Sequence, residues 1–365
     1  MKILVLGGTG AMGVNLVDIF AERGEEITVT SRSPRKSAYE NVTYVQGDAH
    51  DLKFLDNILR KPCDVIIDFM VYNTEEFKAR RDLLLGSTTQ YVFLSSGRVY
   101  AGSKKPITED FPRLLDGTTD KVYLRTDEYA LTKARQENLL FESGKDNWTI
   151  VRPYITYSSD RLQLGVFEKE VWLYRALHGQ TIVFPNDIAD RTTTLTCGED
   201  VALGIALLAG NSKAYGKVFH ITTSESIRWR EVLELYQRVF YEVTGSVMKV
   251  KMVDTSVRMG EAMGNHYQIK YDRLFDRMFD NEKITRLIGG INFVPTKDGL
   301  ERCLRKFLEA PRFRNISITK LVWMDKETGE KTRLAYITSS KSKIKYVLFR
   351  YVPENLLYRM KAIKK

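Results

Sequence analysis

Residues Met1–Gly13 read MKILVLGGTGAMG. The short apolar run ending at Leu6 has the character of a buried strand, it enters a Gly7-x-x-Gly10-x-x-Gly13 turn, and an apolar helix is expected from Val14 to about Arg23. Gly7 permits a tight turn, Gly10 lets the backbone approach a pyrophosphate, and Gly13 lets the helix pack closely on the strand. The N–H groups at the helix start, with Ala11 and Met12 in the turn, face the phosphates of a dinucleotide. A glycine triplet by itself also fits an ordinary strand–turn–helix. The strand before it and the helix after it favour the phosphate-binding reading.

Outward from this turn, strand-like runs at Lys2–Leu6, Ile27–Ser31, Val42–Gln46, Asp64–Val71 and Gln90–Ser95 alternate with helical segments. That rhythm specifies an α/β fold, a Rossmann-type doubly wound parallel sheet. A helix is expected over Asp127–Ser143 and a buried strand over Trp148–Arg152. Beyond Tyr157 the alternation loosens, with helices near Gly165–His178, Glu199–Ala209 and Ile227–Thr244 and strands near Thr181–Phe184, Lys217–Thr222 and Met248–Val253. The division expected is a nucleotide-binding domain over 1–158, a smaller C-terminal α/β substrate-binding part over 159–310 with some segments returning to the sheet, and a basic extension over 311–365.

A chain of 365 residues with 43% hydrophobic residues can bury a large core. Cys63, Cys197 and Cys303 are scattered and odd in number, and the four histidines are dispersed, so reduced thiols, a cytoplasmic setting and no metal are expected. No run is long enough to span a bilayer. The formal charge of +10 is concentrated. From Pro311 to Lys365 there are 14 Lys/Arg against 4 Asp/Glu, which leaves 42 of each sign in the remainder. A partner attracted by charge would meet the tail.

Tyr129-Ala-Leu-Thr-Lys133 places a phenol and an ammonium four residues apart, on one face of the expected helix. A free tyrosine titrates near ~10 and a base at neutral pH needs a value nearer ~7, a gap of roughly 4 kcal/mol that an adjacent ammonium and a nicotinamide cation would help to close. An isolated Tyr-x-x-x-Lys usually marks a solvated helix face. Here it follows Gln90–Tyr100, a strand that ends in Ser95-Ser96-Gly-Arg98-Val-Tyr100 where a nicotinamide should lie.

The glycine turn, Ser-Ser-x-x-Val-Tyr, Tyr-x-x-x-Lys and the following Val151-Arg152-Pro153 together resemble the extended short-chain dehydrogenase/reductases, the NAD(P)-dependent nucleotide-sugar epimerase/dehydratase family. A later Asp280-Asn-Glu-Lys283 to Pro295 run extends the resemblance over roughly residues 1–310. It implies that Ser96 is the catalytic hydroxyl residue that bonds the reacting oxygen, Tyr129 the acid/base, and Lys133 the group that holds the nicotinamide ribose and lowers the tyrosine pKa. It also implies that Asp48, beside Ala49, contacts the adenine amino group, that Phe69 and Met70 wall the cofactor, that Pro153 adjoins it, and that homodimers are common. Local alternatives exist: Asp48 could cap a helix, and Ser95 could be a satisfied strand end.

Three departures from the family pattern shape the reading. After Thr28–Ser31 the chain offers Arg32, with Ser31 or Arg35 near it, where an NAD-preferring member has an acid; the cations favour NADP(H) over NAD(H), unless the loop is merely solvated. Gly97 and Arg98 stand where a dehydratase needs an acid, which disfavours 4,6-dehydration and leaves carbonyl reduction or epimerisation; Arg98 could meet a substrate phosphate or carboxylate. The arginine that grips the diphosphate is only approximated, with Arg161 and Arg191 as candidates.

In the tail, Ile318–Met324 and Thr332–Thr338 around Gly329 are read as a hairpin. Ile344, Val347, Leu348, Tyr351 and Val352 fall at helical spacing among lysines, a basic amphipathic helix that could lie on an anionic membrane surface, on the protein's own body or on a second subunit. Nucleic acid is disfavoured, because no aromatic stacking platform accompanies these lysines. The sequence therefore reads as an NAD(P)-dependent epimerase or keto-reductase acting on a nucleotide-linked sugar. The rival is a non-catalytic nucleotide- or RNA-binding member of the same fold, serving as a regulatory or scaffold protein.

Overall fold

The computed structural model describes residues 1–352; residues 353–365 of the basic extension lie outside the described residues. The chain forms two compact units. One holds residues 1–160, 192–227 and 276–300, and the other holds 161–191, 228–275 and the segment from Glu301.

The first unit is built on a seven-stranded parallel sheet. Its strands are β1 (Lys2–Leu6), β2 (Glu26–Ser31), β3 (Val42–Gln46), β4 (Cys63–Asp68), β5 (Thr88–Leu94), β6 (Trp148–Arg152) and a last strand, Lys217–His220. From one edge to the other they run Lys217–His220, β6, β5, β4, β1, β2, β3. Leu4 pairs with Thr28 on one side and Ile66 on the other. Side chains alternate along each strand, so Ile3 and Val5 enter one apolar layer while Leu4 and Leu6 enter the opposite one. Helix α1 (Gly13–Glu22) packs with Gly198–Leu208 on the first face, and the helix Thr74–Gly86 packs with Tyr129–Phe141 on the second. Strand order reverses beside β1, where β4 lies on one flank and β2 on the other. The crevice at the C-terminal ends of β1 and β4 is the place where ligands bind in such sheets.

The second unit pairs Ile182–Pro185 in parallel with Val250–Val253 and carries the long helix Trp229–Thr244. The helix expected from Gly165 begins only at Trp172, because Gly165, at φ 58°, turns the chain between two short antiparallel strands. The expected tail hairpin is also replaced by a helix, Ile318–Thr328. Its buried residues Ile318, Leu321, Val322 and Asp325 follow helical spacing, and Gly329, at φ 74°, is its left-handed cap instead of a hairpin turn. Fully buried Arg175 holds Asp325 and, at 2.9 Å, Glu330, which ties the tail into this unit. The last described helix, Ser340–Tyr351, docks on the same cluster through Tyr346 and Phe349.

Candidate active site

The glycine turn closes the end of β1. Gly7 takes φ 71°, and a Cβ there would lie 2.8 Å from the Met70 sulfur; a Cβ on Gly13 would stand 2.6 Å from the Gly8 backbone. The left-handed backbone favours glycine at position 7, and the backbone contact demands it at position 13. At Gly10 nothing lies within 4 Å of the corresponding position, so that side of the turn is open. Helix α1 starts without a side-chain cap and without an acid in its first turn. Uncapped N–H groups beside an open glycine surface suit an anionic diphosphate, and the residues present fit a dinucleotide. Ala11 and Met12 lie in this turn, with the Asn15 amide donating to the Ala11 carbonyl at 3.0 Å.

Neighbouring strand ends complete the rim. The Gly7 N–H donates to Thr30 Oγ1 at 3.0 Å, which fixes the end of β2 beside the turn, and exposed Arg32 follows directly. The Phe69 N–H donates to the Leu6 carbonyl at 2.9 Å, so Phe69 and Met70 flank the turn from β4. Asp48 is exposed and accepts the His50 N–H at 3.0 Å, a local turn; the cap of the next helix, Leu52–Leu59, is Asp51 instead, and Ala49 is buried.

The hydroxyl strand end and the Tyr-x-x-x-Lys helix are fastened together at two points. The Ser95 hydroxyl donates to Glu137 Oε1 at 2.6 Å, and Arg98 Nη2 donates to Glu128 Oε1 at 2.5 Å. Ser96 lies between Ser95 and Arg98, while Tyr129 and Lys133 lie between Glu128 and Glu137. The two clamps therefore fasten the segment that contains Ser96 to the helix that carries Tyr129 and Lys133. Glu128 is the helix N-cap, accepting the Ala130 N–H at 2.8 Å, and Tyr129 opens the first turn half-buried with the Arg98 guanidinium 5.1 Å from its ring centre. Ser96 Oγ accepts the Arg98 N–H at 3.2 Å, and the Gly97 N–H reaches the Pro153 carbonyl at 2.8 Å. Arg98, expected as a substrate ligand, is thus engaged with Glu128 in this structure.

Lys133 is buried, with Nζ 4.6 Å from the Phe93 ring centre. Burial pushes its pKa from the ordinary 10.5 down to about 8, against the opposing pull of Asp68 and Glu137. At neutral pH both folded and unfolded chains carry this proton, so the difference of 10.5 − 8 corresponds to a penalty of about 3 kcal/mol at about 1.36 per unit. The penalty is relieved as pH rises through 8 toward 10.5. Lys133→Met is expected to raise the unfolding free energy at pH 7 by up to about 3 kcal/mol, and the gain should shrink steadily above pH 8. Urea titrations at several pH values check this; a destabilised variant at pH 7 would contradict it.

Several participants are not among the site residues expected from the sequence. Glu137 accepts from Arg152 through Nε and Nη2, both at 2.7 Å, and from Arg113 Nη1 at 3.0 Å, in addition to Ser95. Arg152 Nη1 also donates to the Tyr100 hydroxyl, which donates in turn to His220 Nε2 at 2.6 Å; His220 Nδ1–H donates to the Asp280 carbonyl at 3.0 Å. Burial pushes His220 down to about 4, so the ring is neutral, as this chain of bonds requires. Asp68, buried at the end of β4, accepts the Tyr91 hydroxyl at 2.8 Å and the Met70 N–H at 2.9 Å, and burial raises its pKa. The signal available for Glu137 was its place four residues beyond Lys133, on the same helix face. Arg161 and Arg191 fall in the second unit; Arg161 pairs with Glu168 at 3.2 Å, and the Arg191 carbonyl accepts the Trp229 N–H at 3.1 Å.

The relatives agree with this architecture. Over 237 residues the chain is 26% identical to chloroplast stem-loop binding protein of 41 kDa b from Arabidopsis thaliana, covering 60% of this chain and 58% of that protein. It is 24% identical over 247 residues to 2'-dehydrokanamycin reductase from Streptomyces kanamyceticus, 66% of each. Among solved structures, UDP-glucuronic acid 4-epimerase from Bacillus cereus, in complex with UDP-glucuronic acid and NAD, superposes with a TM-score of 0.65 at 14% identity, over 85% of this chain and 99% of that one. At that identity the likeness concerns the fold alone. The model of the NAD dependent epimerase/dehydratase family matches residues 3–222, well over half of the chain, and the protein belongs to that family.

Proposed function

We propose that the protein is an NAD(P)-dependent epimerase or keto-reductase acting on a nucleotide-linked sugar, in a reducing, cytoplasmic setting suited to its free thiols. The observation that supports this reading is the double clamp, Ser95 to Glu137 and Arg98 to Glu128, which fastens the Ser96 segment to the helix of Tyr129 and Lys133. The dinucleotide, when bound, supplies hydride acceptance or donation at its nicotinamide. Gly7, Gly10, Ala11, Met12 and Gly13 would hold its diphosphate; Asp48 and Ala49 would lie toward the adenine, with Phe69, Met70 and Pro153 along the rest. Tyr129 takes a proton from, or returns it to, the reacting oxygen of the sugar, and Ser96 orients that oxygen by a hydrogen bond. Lys133 as an ammonium holds the ribose and favours the phenolate. Gly97 and Arg98 place no carboxylate next to Ser96, so loss of water by 4,6-dehydration is disfavoured.

Arg98, Arg161 and Arg191 are the proposed partners of substrate phosphate or carboxylate groups, with Arg98 exchanging its Glu128 bond on binding. The reading is tested with a panel of nucleotide-linked hexoses and reduced or oxidised dinucleotide, following nicotinamide absorbance and sugar identity. Formation of an epimer or consumption of reduced cofactor supports it. Absence of both across uridine-, thymidine- and guanosine-linked sugars counts against it. Exposed Arg32 further favours NADP(H) through a charge-assisted bond to the 2′-phosphate. Arg32→Asp is expected to weaken NADPH binding by about 10- to 100-fold and NADH binding much less. Equal NADPH affinity in the variant would contradict that role.

A second reading, nucleic-acid binding without catalysis, is favoured by the likeness to a stem-loop binding relative. It requires RNA affinity that falls steeply with salt, independent of Tyr129.

A further inference from the structure

The helix Ser340–Tyr351 has two unlike faces. On one side Tyr346 is buried, its hydroxyl donating to Asp325 Oδ2 at 2.6 Å and accepting the Thr332 N–H at 2.9 Å. This polar anchor turns the opposite side outward. There Ile344, Val347, Leu348 and Tyr351 are 63%, 41%, 37% and 58% exposed. At helical geometry these four fall within a sector of about 100°. Lys341 and Lys345 border the sector on one side, and Lys343 and Arg350 border it on the other. The Tyr351 ring lies 5.8 Å from Lys331 Nζ and 5.9 Å from the Arg350 guanidinium carbon. Between residues 331 and 352 there are six basic residues and no acid.

We propose that this face binds an anionic lipid surface, with the helix lying in the plane of the interface. The four apolar side chains enter the boundary between headgroups and acyl chains, and the bordering cations meet lipid phosphates and carboxylates. A tyrosine set among cations suits the wet edge of such an interface. Charge decides against the alternatives that aliphatic exposure alone would leave open. A second copy stacked on this face would bring Lys331, Lys341, Lys343, Lys345 and Arg350 against the same five cations. RNA would use the cations and one aromatic ring, Tyr351, but would gain little from Ile344, Val347 and Leu348, which offer no surface for base stacking and make up most of the face. Among the described residues no helix is long and apolar enough to cross a membrane, so the attachment is peripheral.

The test is flotation of the full-length protein with vesicles of phosphatidylcholine plus phosphatidylserine, beside vesicles of phosphatidylcholine alone. The protein should float with the anionic vesicles, do so less at high salt, and remain unbound to neutral ones. Val347→Glu combined with Leu348→Glu should abolish flotation while thermal unfolding and dinucleotide binding stay unchanged, because both side chains are exposed. Lys341→Gln or Lys345→Gln should each lower partitioning about fivefold, the effect of one basic residue near an anionic surface. The proposal is overturned if anionic vesicles do not bind, or if binding ignores the glutamate pair. It is equally overturned if the pair instead dissolves a dimer in sedimentation, or removes polyuridylate binding from a protein that ignores vesicles.

Discussion

If the protein turns over a nucleotide-linked sugar as proposed, Tyr129→Phe is expected to lower kcat on it by roughly a hundredfold to ten-thousandfold, the range typical for losing a positioned proton-transfer group. The substitution removes only the hydroxyl. Tyr129 is half-buried at the first turn of its helix, and that turn is held by Glu128, which caps it and binds both Arg98 and Tyr123, at 2.5 and 3.0 Å. The clamps that position Ser96 and Lys133 do not pass through the phenol. Dinucleotide affinity and unfolding free energy should therefore stay close to wild type, which separates a chemical role from a structural one. Activity retained at the wild-type level would remove Tyr129 from the mechanism. Activity lost together with cofactor affinity would make it a structural residue.

The largest stability effect is expected at Glu137. Its fully buried carboxylate accepts the bidentate Arg152 fork and the Arg113 and Ser95 bonds, and Arg152 is itself only 3% exposed. Glu137→Ala leaves a guanidinium buried without its counter-charge, which typically costs about 3–5 kcal/mol. Urea unfolding should report that loss, and Glu137→Leu with Arg152→Met should recover much of it, because an apolar pair needs no charge compensation. A single variant within about 1 kcal/mol of wild type would show that the network carries little. Because Glu137 also holds Ser95, the residue next to Ser96, the single variant should lower activity even where it remains folded.

What the sequence disclosed depended on the range of the interaction. The strand, turn and helix of Met1–Glu22 were legible because strand alternation, glycine spacing and helix start are all local, and β1 and β3 have the expected boundaries. Tyr129 and Lys133 were legible as one helix turn. Their fastening was not, because Ser95 and Glu137 are separated by 42 positions and either residue alone fits many surroundings. Gly329 shows the opposite failure. A glycine between two apolar runs fits a hairpin turn or a helix cap equally well, and what decides includes the buried Asp325, which is compensated by Arg175, 150 positions earlier, and by hydrogen bonds from Tyr346 and Thr332. The tail helix was foreseen from its spacing, but the face that docks is set by Tyr346, outside the apolar stripe.

The central claim is that this turn and this tyrosine–lysine face work on a dinucleotide. It is tested most directly by purifying the full-length protein without added cofactor, denaturing one sample to identify any released dinucleotide by mass spectrometry, and titrating another with NADPH and NADH. Retained oxidised cofactor, as in an epimerase that recycles its hydride, or saturable binding of NADPH to an empty protein, as in a reductase, is the expected result. A folded protein that releases no dinucleotide and binds none would contradict the account.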